Sequence, residues 1–162
     1  NEVYKGLIKD KFQDIVRKKI SALGATLEEA VILPDDEEII SRQIQTYLEK
    51  DTDLIITTGG MSVDPDDVTR AGIENSGFEE TIYSSALLPG AMFLLGYHEK
   101  TSIMGLPACG LYHRITIFDL ILPRLMAGEK PTQRDLAKLS HGGLCLNCKT
   151  CTFPACSFGK AG

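Results

Sequence analysis

The sequence has no apolar run approaching the ~18 consecutive residues that a membrane-spanning helix needs, so no membrane partner is expected. It also has no excess of basic side chains: 17 Lys and Arg stand against 22 Asp and Glu, a formal net charge of -5. Nucleic-acid affinity comes mostly from basic groups on phosphates, so an acidic chain argues against that partner. Glycine (15) and proline (7) are too few for a collagen or low-complexity chain, and 43% hydrophobic residues are too many for a disordered tail. The opening Asn1-Glu2-Val3-Tyr4 has neither an initiator Met nor a basic-then-apolar leader. Nothing there suggests secretion, and a cytoplasmic location is expected. The opening also reads as cut, with an element expected upstream. The chain has 162 residues, which suits one domain with a core of its own.

Charge and cysteine divide that chain in two. Residues 1–130 carry 13 basic and 21 acidic side chains, whereas residues 131–162 carry 4 and 1. Cys109 stands alone, while Cys145, Cys148, Cys151 and Cys156 crowd into twelve positions. The expected organisation is an α/β domain over 1–128, a linker over 129–144 with a short helix around Arg134–Leu139, and a Cys-rich tail over 145–162.

Within the body, Ile8, Phe12, Ile15, Val16, Ile20 and Leu23 recur at helical spacing and Gly24 stops the run. Ala30-Val31-Ile32-Leu33 reads as a strand buried on both faces, ended by Pro34. Asp35 and Asp36 stand where N-caps belong, before a helix whose stripe is Ile40, Ile44, Tyr47 and Leu48. Leu54–Thr57 is a second buried strand, followed after a loop by a helix from about Asp67 to Asn75. Strands are expected over Thr81–Leu87, Met92–Tyr97 and Thr101–Met104, and a last helix over Leu111–Met126. This alternation is the rhythm of an α/β domain with a mostly parallel sheet, whose first strand is expected upstream of Asn1.

Thr57-Thr58-Gly59-Gly60-Met61-Ser62-Val63-Asp64-Pro65-Asp66-Asp67-Val68-Thr69 leaves the carboxyl end of a strand, where α/β proteins bind ligands. Paired glycines let backbone approach a ligand, and N–H groups there favour an anion such as phosphate. Asp64, Asp66 and Asp67 share that turn, and like charges a few ångströms apart repel by about 1 to 4 kcal/mol per pair. A phosphate would worsen the repulsion unless a divalent cation intervened, and Mg²⁺ suits carboxylate, phosphate and water ligands. The plainer alternative is that Asp35, Asp66 and Asp67 cap helices and the glycines turn the chain. The string has neither the Gly-Lys-Ser/Thr end of a Walker loop nor the Gly-x-Gly-x-x-Gly spacing of dinucleotide folds.

Taken together, the motifs resemble the molybdopterin-binding domains of molybdenum cofactor biosynthesis, closest to the molybdotransferase and adenylyltransferase type. Asn1-Glu2-Val3 with Gly6 is similar to their threonine-glycine-asparagine-glutamate opening, Leu33-Pro34-Asp35-Asp36 to their second acidic motif, and Thr57–Thr69 to their glycine loop. Gly105-Leu106-Pro107 and Leu88-Pro89-Gly90 resemble their two proline turns. The resemblance covers about residues 1–128. It implies a three-layer α/β sandwich that binds the pterin dithiolene phosphate and either adenylylates it with Mg-ATP or hydrolyses the adenylate and inserts molybdate. Asp67 would be the loop acid, Asp35 the second acid and Glu2 the opening acid. Thr58, Gly59, Gly60, Met61, Ser62 and Thr69 would cradle the ligand together with Gly105, Leu106 and Pro107. Relatives imply a homo-dimer or trimer. A third branch, the competence-damage-inducible group, implies nucleotide hydrolysis instead.

There are departures. Ser84, Leu88 and Ala91 stand where the molybdotransferase branch has lysines, and Ala108-Cys109-Gly110 replaces its glycine-asparagine-proline. Anion binding needs compensating donors, so these changes favour pterin binding over full catalysis and keep a non-catalytic binding or sensor module in view. Cys109 reads either as a thiol in the ligand turn or as a small apolar filler. His98, His113 and His141 form no useful spacing.

The tail is the second signal. Gaps of two, two and four residues let Cys145, Cys148, Cys151 and Cys156 converge on one metal centre, and both an iron–sulfur cluster and a four-thiolate Zn site are compatible. Disulfides would need an oxidising compartment. Lys149 and Lys160 would offset thiolate charge. Without metal, so short a tail is expected to lack the apolar residues to order itself.

Overall fold

The computed structural model describes Tyr4 and residues 10–62, 64, 67–78 and 80–161. Helix α1, Phe12–Ser21, buries Val16 and Ile20, and Gly24 at φ 82 ends its turn. The expected start at Ile8 lies outside the described residues. Helix α2, Glu37–Glu49, begins where the Asp36 carboxylate accepts the Ile39 N–H at 3.0 Å. Strand β1 is Leu54–Thr58, α3 is Thr69–Glu74 and β2 is Glu80–Tyr83. Strands β3, Leu94–His98, and β4, Thr101–Leu106, form a hairpin that leads into a 3₁₀ turn at Ala108–Leu111. Helices α4, Ile117–Met126, and α5, Gln133–Leu139, follow.

The four strands lie in the order β1-β4-β3-β2. β1 pairs with β4 in parallel, from Leu54 opposite Ser102 to Thr58 opposite Leu106. The β4–β3 and β3–β2 pairs are antiparallel, so β1, β4 and β2 point one way and β3 alone opposes them. Alternate residues of each strand feed two cores. Ile55, Leu94 and Ile103 pack with α2, α3 and Phe78 on one face; Leu95, Met104 and Leu106 pack with α1 and α4 on the other. The result is the expected three-layer α/β sandwich. Among the described residues, no helix is long and apolar enough to cross a membrane.

Three sequence expectations need correction. Ala30–Leu33 is not a strand: among the described residues no neighbour pairs with it, and Val31 and Ile32 are 43% and 52% exposed. A short apolar run predicts burial only if a partner strand adjoins it. β2 stops at Tyr83 rather than running to Leu87, because Ser84 turns the chain at φ 72. The last helix starts six residues late, because Thr116 and Asp119 form a reciprocal capping box that fixes its first turn at Ile117.

The stretch expected to be a linker contains α5, whose Leu136 is buried in the same core as α4. The tail beyond it packs on the body. Phe158 is 3% exposed within that core, and Leu144 forms a parallel bridge with Leu88. Phe158 is thus an apolar anchor of the tail, whereas Leu144, 58% exposed, joins the body through backbone alone.

Candidate functional site

β1 and β4 are parallel neighbours whose chains leave the sheet in opposite directions. The chain after β1 runs to α3 on one face, and the chain after β4 runs through the 3₁₀ turn to α4 on the other. In open α/β sheets such a divergence is where ligands bind, beyond the carboxyl ends of the two strands. Thr58, Gly59 and Gly60 form one lip, and Leu106 and Pro107 begin the other.

Local chemistry fixes the first lip. The Gly59 N–H donates to the Leu106 carbonyl at 3.3 Å, extending the β1–β4 ladder by one step. Gly59 and Gly60 lie at φ 81 and 59, a left-handed pair that side chains resist. A Cβ on Gly60 would stand 2.2 Å from Thr69 Oγ1, so the loop rests directly on the start of α3. Met61 then turns inward. Its side chain is 2% exposed, and it fills the space over Gly105, where a Cβ would meet Met61 Cε at 2.6 Å. The Tyr83 hydroxyl donates to the Met61 carbonyl at 2.7 Å. The Met61 and Gly105 side-chain positions therefore belong to the core beneath the lip.

The carboxylates separate into different roles. Asp36, not Asp35, caps α2. α3 begins after Val68 with no side-chain cap, so Asp67 is not a capping residue. Its Oδ2 instead accepts the Ser62 N–H at 2.8 Å, and its own N–H donates to the Asp64 carbonyl at 2.9 Å. Asp67 thus closes the turn after the glycines and holds an acid against them. Asp35 is exposed just before α2. Thr69 is buried at the start of α3. Glu2, Val63 and Asp66 lie outside the described residues.

Thr57 is a residue whose own role the motif did not reveal. It is the β1 residue opposite Gly105, and its hydroxyl is the buried side-chain polar atom among the described residues that lacks a hydrogen-bond partner. Such an orphan costs about 1–3 kcal/mol, and it sits one residue before the lip.

A family profile described as "Probable molybdopterin binding domain" matches residues 1–127. The chain belongs to that family. The molybdopterin-binding domain is 28% identical to the molybdopterin molybdenumtransferase of Haemophilus influenzae over 127 residues, 77% of this chain and 31% of that protein. It is 37% identical to a CinA-like protein of Thermosipho melanesiensis over 87 residues, 54% of this chain and 21% of that protein. It therefore spans about a fifth to a third of the length of these curated relatives. Among solved structures, the molybdopterin biosynthesis enzyme MoaB of Thermus thermophilus superposes with TM-score 0.64 at 18% identity, over 79% of this chain and 91% of that one. The protein CinA of Thermoplasma acidophilum superposes with TM-score 0.57 at 18% identity, over 66% and 83%. These likenesses establish the α/β fold of the molybdopterin-binding domain.

Two other sequence-flagged groups can now be placed. Cys109 sits in the 3₁₀ turn behind Pro107, and burial pushes its thiol above the ordinary value while backbone hydrogen bonds, one of them with Gly90, oppose that shift. It is protonated at neutral pH, which fits a filler better than a nucleophile. His113, for which the sequence offered no role, lines a cavity of about 200 Å³ together with Cys145, Cys148, Cys151 and Cys156. It lies thirty-two positions before the first tail cysteine, so no local spacing could reveal the association.

Proposed function

We propose that this domain binds molybdopterin through its phosphate in the crevice outside β1 and β4, and that it serves molybdenum cofactor biosynthesis. The observation that carries the reading is the bond from the Ser62 N–H to Asp67 Oδ2, which commits an acid to the glycine lip instead of to a helix cap. Family membership supports pterin as the guest. A phosphate beside Asp67, with Asp64 in the same turn, needs a cation between them. Among the described residues, no three acidic, His or Cys side chains converge tightly enough to hold an ion by themselves. Mg²⁺ takes one or two carboxylates and completes its shell with phosphate and water. Asp67, with Asp35 and Glu2 as further acids, would hold it. Bound there, Mg²⁺ would neutralise phosphate charge.

Ser84, Leu88 and Ala91 bring no cation to the Pro89-Gly90 turn, so the reading is first of all one of binding. Adenylyl transfer or molybdate insertion is the finer step that ATP and molybdate would test. The resemblance to the competence-damage-inducible group implies nucleotide hydrolysis as the second reading, and the 37% identity to a CinA-like protein supports that likeness.

The test is anaerobic titration of the protein with molybdopterin, with and without Mg²⁺. Asp67→Asn keeps an oxygen for the Ser62 N–H but removes the charge. It is expected to abolish the Mg²⁺-dependent gain in affinity, about tenfold or more at 1.4 kcal/mol per decade. Equal affinities for the two proteins would refute the reading. Adding Mg-ATP and molybdate then separates catalysis, which yields adenylate or metallated pterin, from binding alone. Nucleotide hydrolysis without pterin uptake would favour the second reading.

A further inference from the structure

We propose that Cys145, Cys148, Cys151 and Cys156 hold a four-iron iron–sulfur cluster in the cavity that they line against His113 and Arg114. All four cysteines are free and line one cavity of about 200 Å³. A single ion needs little more room than a water molecule, which occupies about 30 Å³. Four thiolates on one zinc, each about 2.3 Å from it, must also crowd together. Four thiolates around a cubane core of iron and sulfide stand farther apart, with the core filling the space between them. A cavity of about 200 Å³ lined by all four cysteines leaves room for that larger core.

The loop that carries the cysteines is closed by its own backbone contacts and anchored on the body. The Gly142 N–H donates to the Lys160 carbonyl at 3.1 Å and the Gly159 N–H returns to the Gly142 carbonyl at 2.8 Å. A Cβ on Gly142 would stand 1.9 Å from the Ser157 carbonyl, so that end of the loop approaches backbone too closely for a side chain, and Gly159, at φ 71, lies against Leu120 of α4. Asn147 at φ 50 turns the chain between the first two cysteines. Arg114 and Lys149 line the cavity too, placing positive charge beside four thiolates. The body thus supplies one wall and the tail supplies every ligand.

The assignment does not depend on pterin binding, and its test reads metal alone. The full chain is purified anaerobically and reconstituted with ferric iron, sulfide and excess thiol, which reduces half of the iron and leaves as disulfide. About four irons and four acid-labile sulfides per chain are expected, with a broad visible absorption that dithionite bleaches and an EPR signal in the reduced protein. One zinc or iron without labile sulfide, two irons with two sulfides, or no retained metal would each overturn the assignment. Cys148→Ser and Cys151→Ser are expected to lose most of the iron, while Cys109→Ser keeps it. Equal loss from all three would point to non-specific uptake and would likewise overturn it. Where a ligand variant unfolds, the stoichiometry of the unaltered chain decides.

Discussion

The contact between Gly60 and Thr69 permits a quantitative test of how the lip is built. Gly60→Ala places a Cβ at φ 59, a left-handed conformation that costs an L-residue about 1–2 kcal/mol. The same carbon would lie 2.2 Å from Thr69 Oγ1 and 3.0 Å from Thr69 Cβ, and overpacking of this sort costs about 1–3 kcal/mol. The single substitution is therefore expected to cost about 2–5 kcal/mol in all. Thr69→Ala alone removes a buried methyl and hydroxyl, at about 1 kcal/mol. It also deletes the atom in the worst clash and leaves only the Cβ contact, which a shift of a few tenths of an ångström relieves. The double variant should therefore be more stable than the two single costs predict, by about 1–3 kcal/mol. Urea unfolding of all four proteins, compared at equal m, reads the cycle. Costs that add within about 0.5 kcal/mol would show that the glycine does not rest on Thr69, and the account of the lip would fail with it. Partial return of Mg²⁺-dependent pterin affinity in the double variant would connect the packing to the crevice.

Two further predictions concern pH. The Thr132 hydroxyl and N–H, assisted by Lys138, hold the Asp135 carboxyl down to about 2 from an ordinary 3.8. A depressed carboxyl stabilises the folded chain above about 3.8 and loses that contribution as pH falls through about 2. NMR titration of this carboxyl should give the low midpoint, and Thr132→Ala should raise it; a native midpoint at 3.8 would refute the capping argument. Burial pushes the Tyr97 hydroxyl up to about 12, opposed by Arg124 and reinforced by Asp135. Its contribution to stability is whole below the ordinary 10.0 and is lost as pH rises through about 12. Tyr97→Phe should remove this late-titrating group from the ultraviolet titration. It should also cost about 1 kcal/mol, because the Pro131 carbonyl loses its 2.8 Å donor. A titration curve unchanged by the substitution would refute the assignment.

The parts of this fold that were legible in the sequence are those whose signal is local. Leu54–Thr58 and Thr101–Leu106 are short apolar runs that did become neighbouring strands, and Asp36 and Gly24 bound helices as their residue types suggest. Ala30–Leu33 has the same appearance as β1 but no partner among the described residues, and pairing is the non-local event that composition does not encode. The start of α4 was misplaced because the apolar period of Ile115, Phe118, Ile121 and Leu122 continues through Thr116, whose cap overrides it. At the site, the glycines and Asp67 carried a recognisable string. That Met61 would turn into the core, that Asp67 would bond back to Ser62, and that His113 would face the tail cysteines all depend on packing between distant segments.

Leu136 and Phe158 give the molecule an outer limit that its family resemblance does not. Both lie in the core of α4, beside Ile117, Phe118, Ile121 and Leu122, whereas the family profile ends at residue 127. A chain trimmed at that point would retain every diagnostic string and yet leave one flank of α4 wet, an invitation to self-association. The stretch that can be recognised by homology is shorter than the stretch that folds, and anyone excising the domain should cut by the second measure.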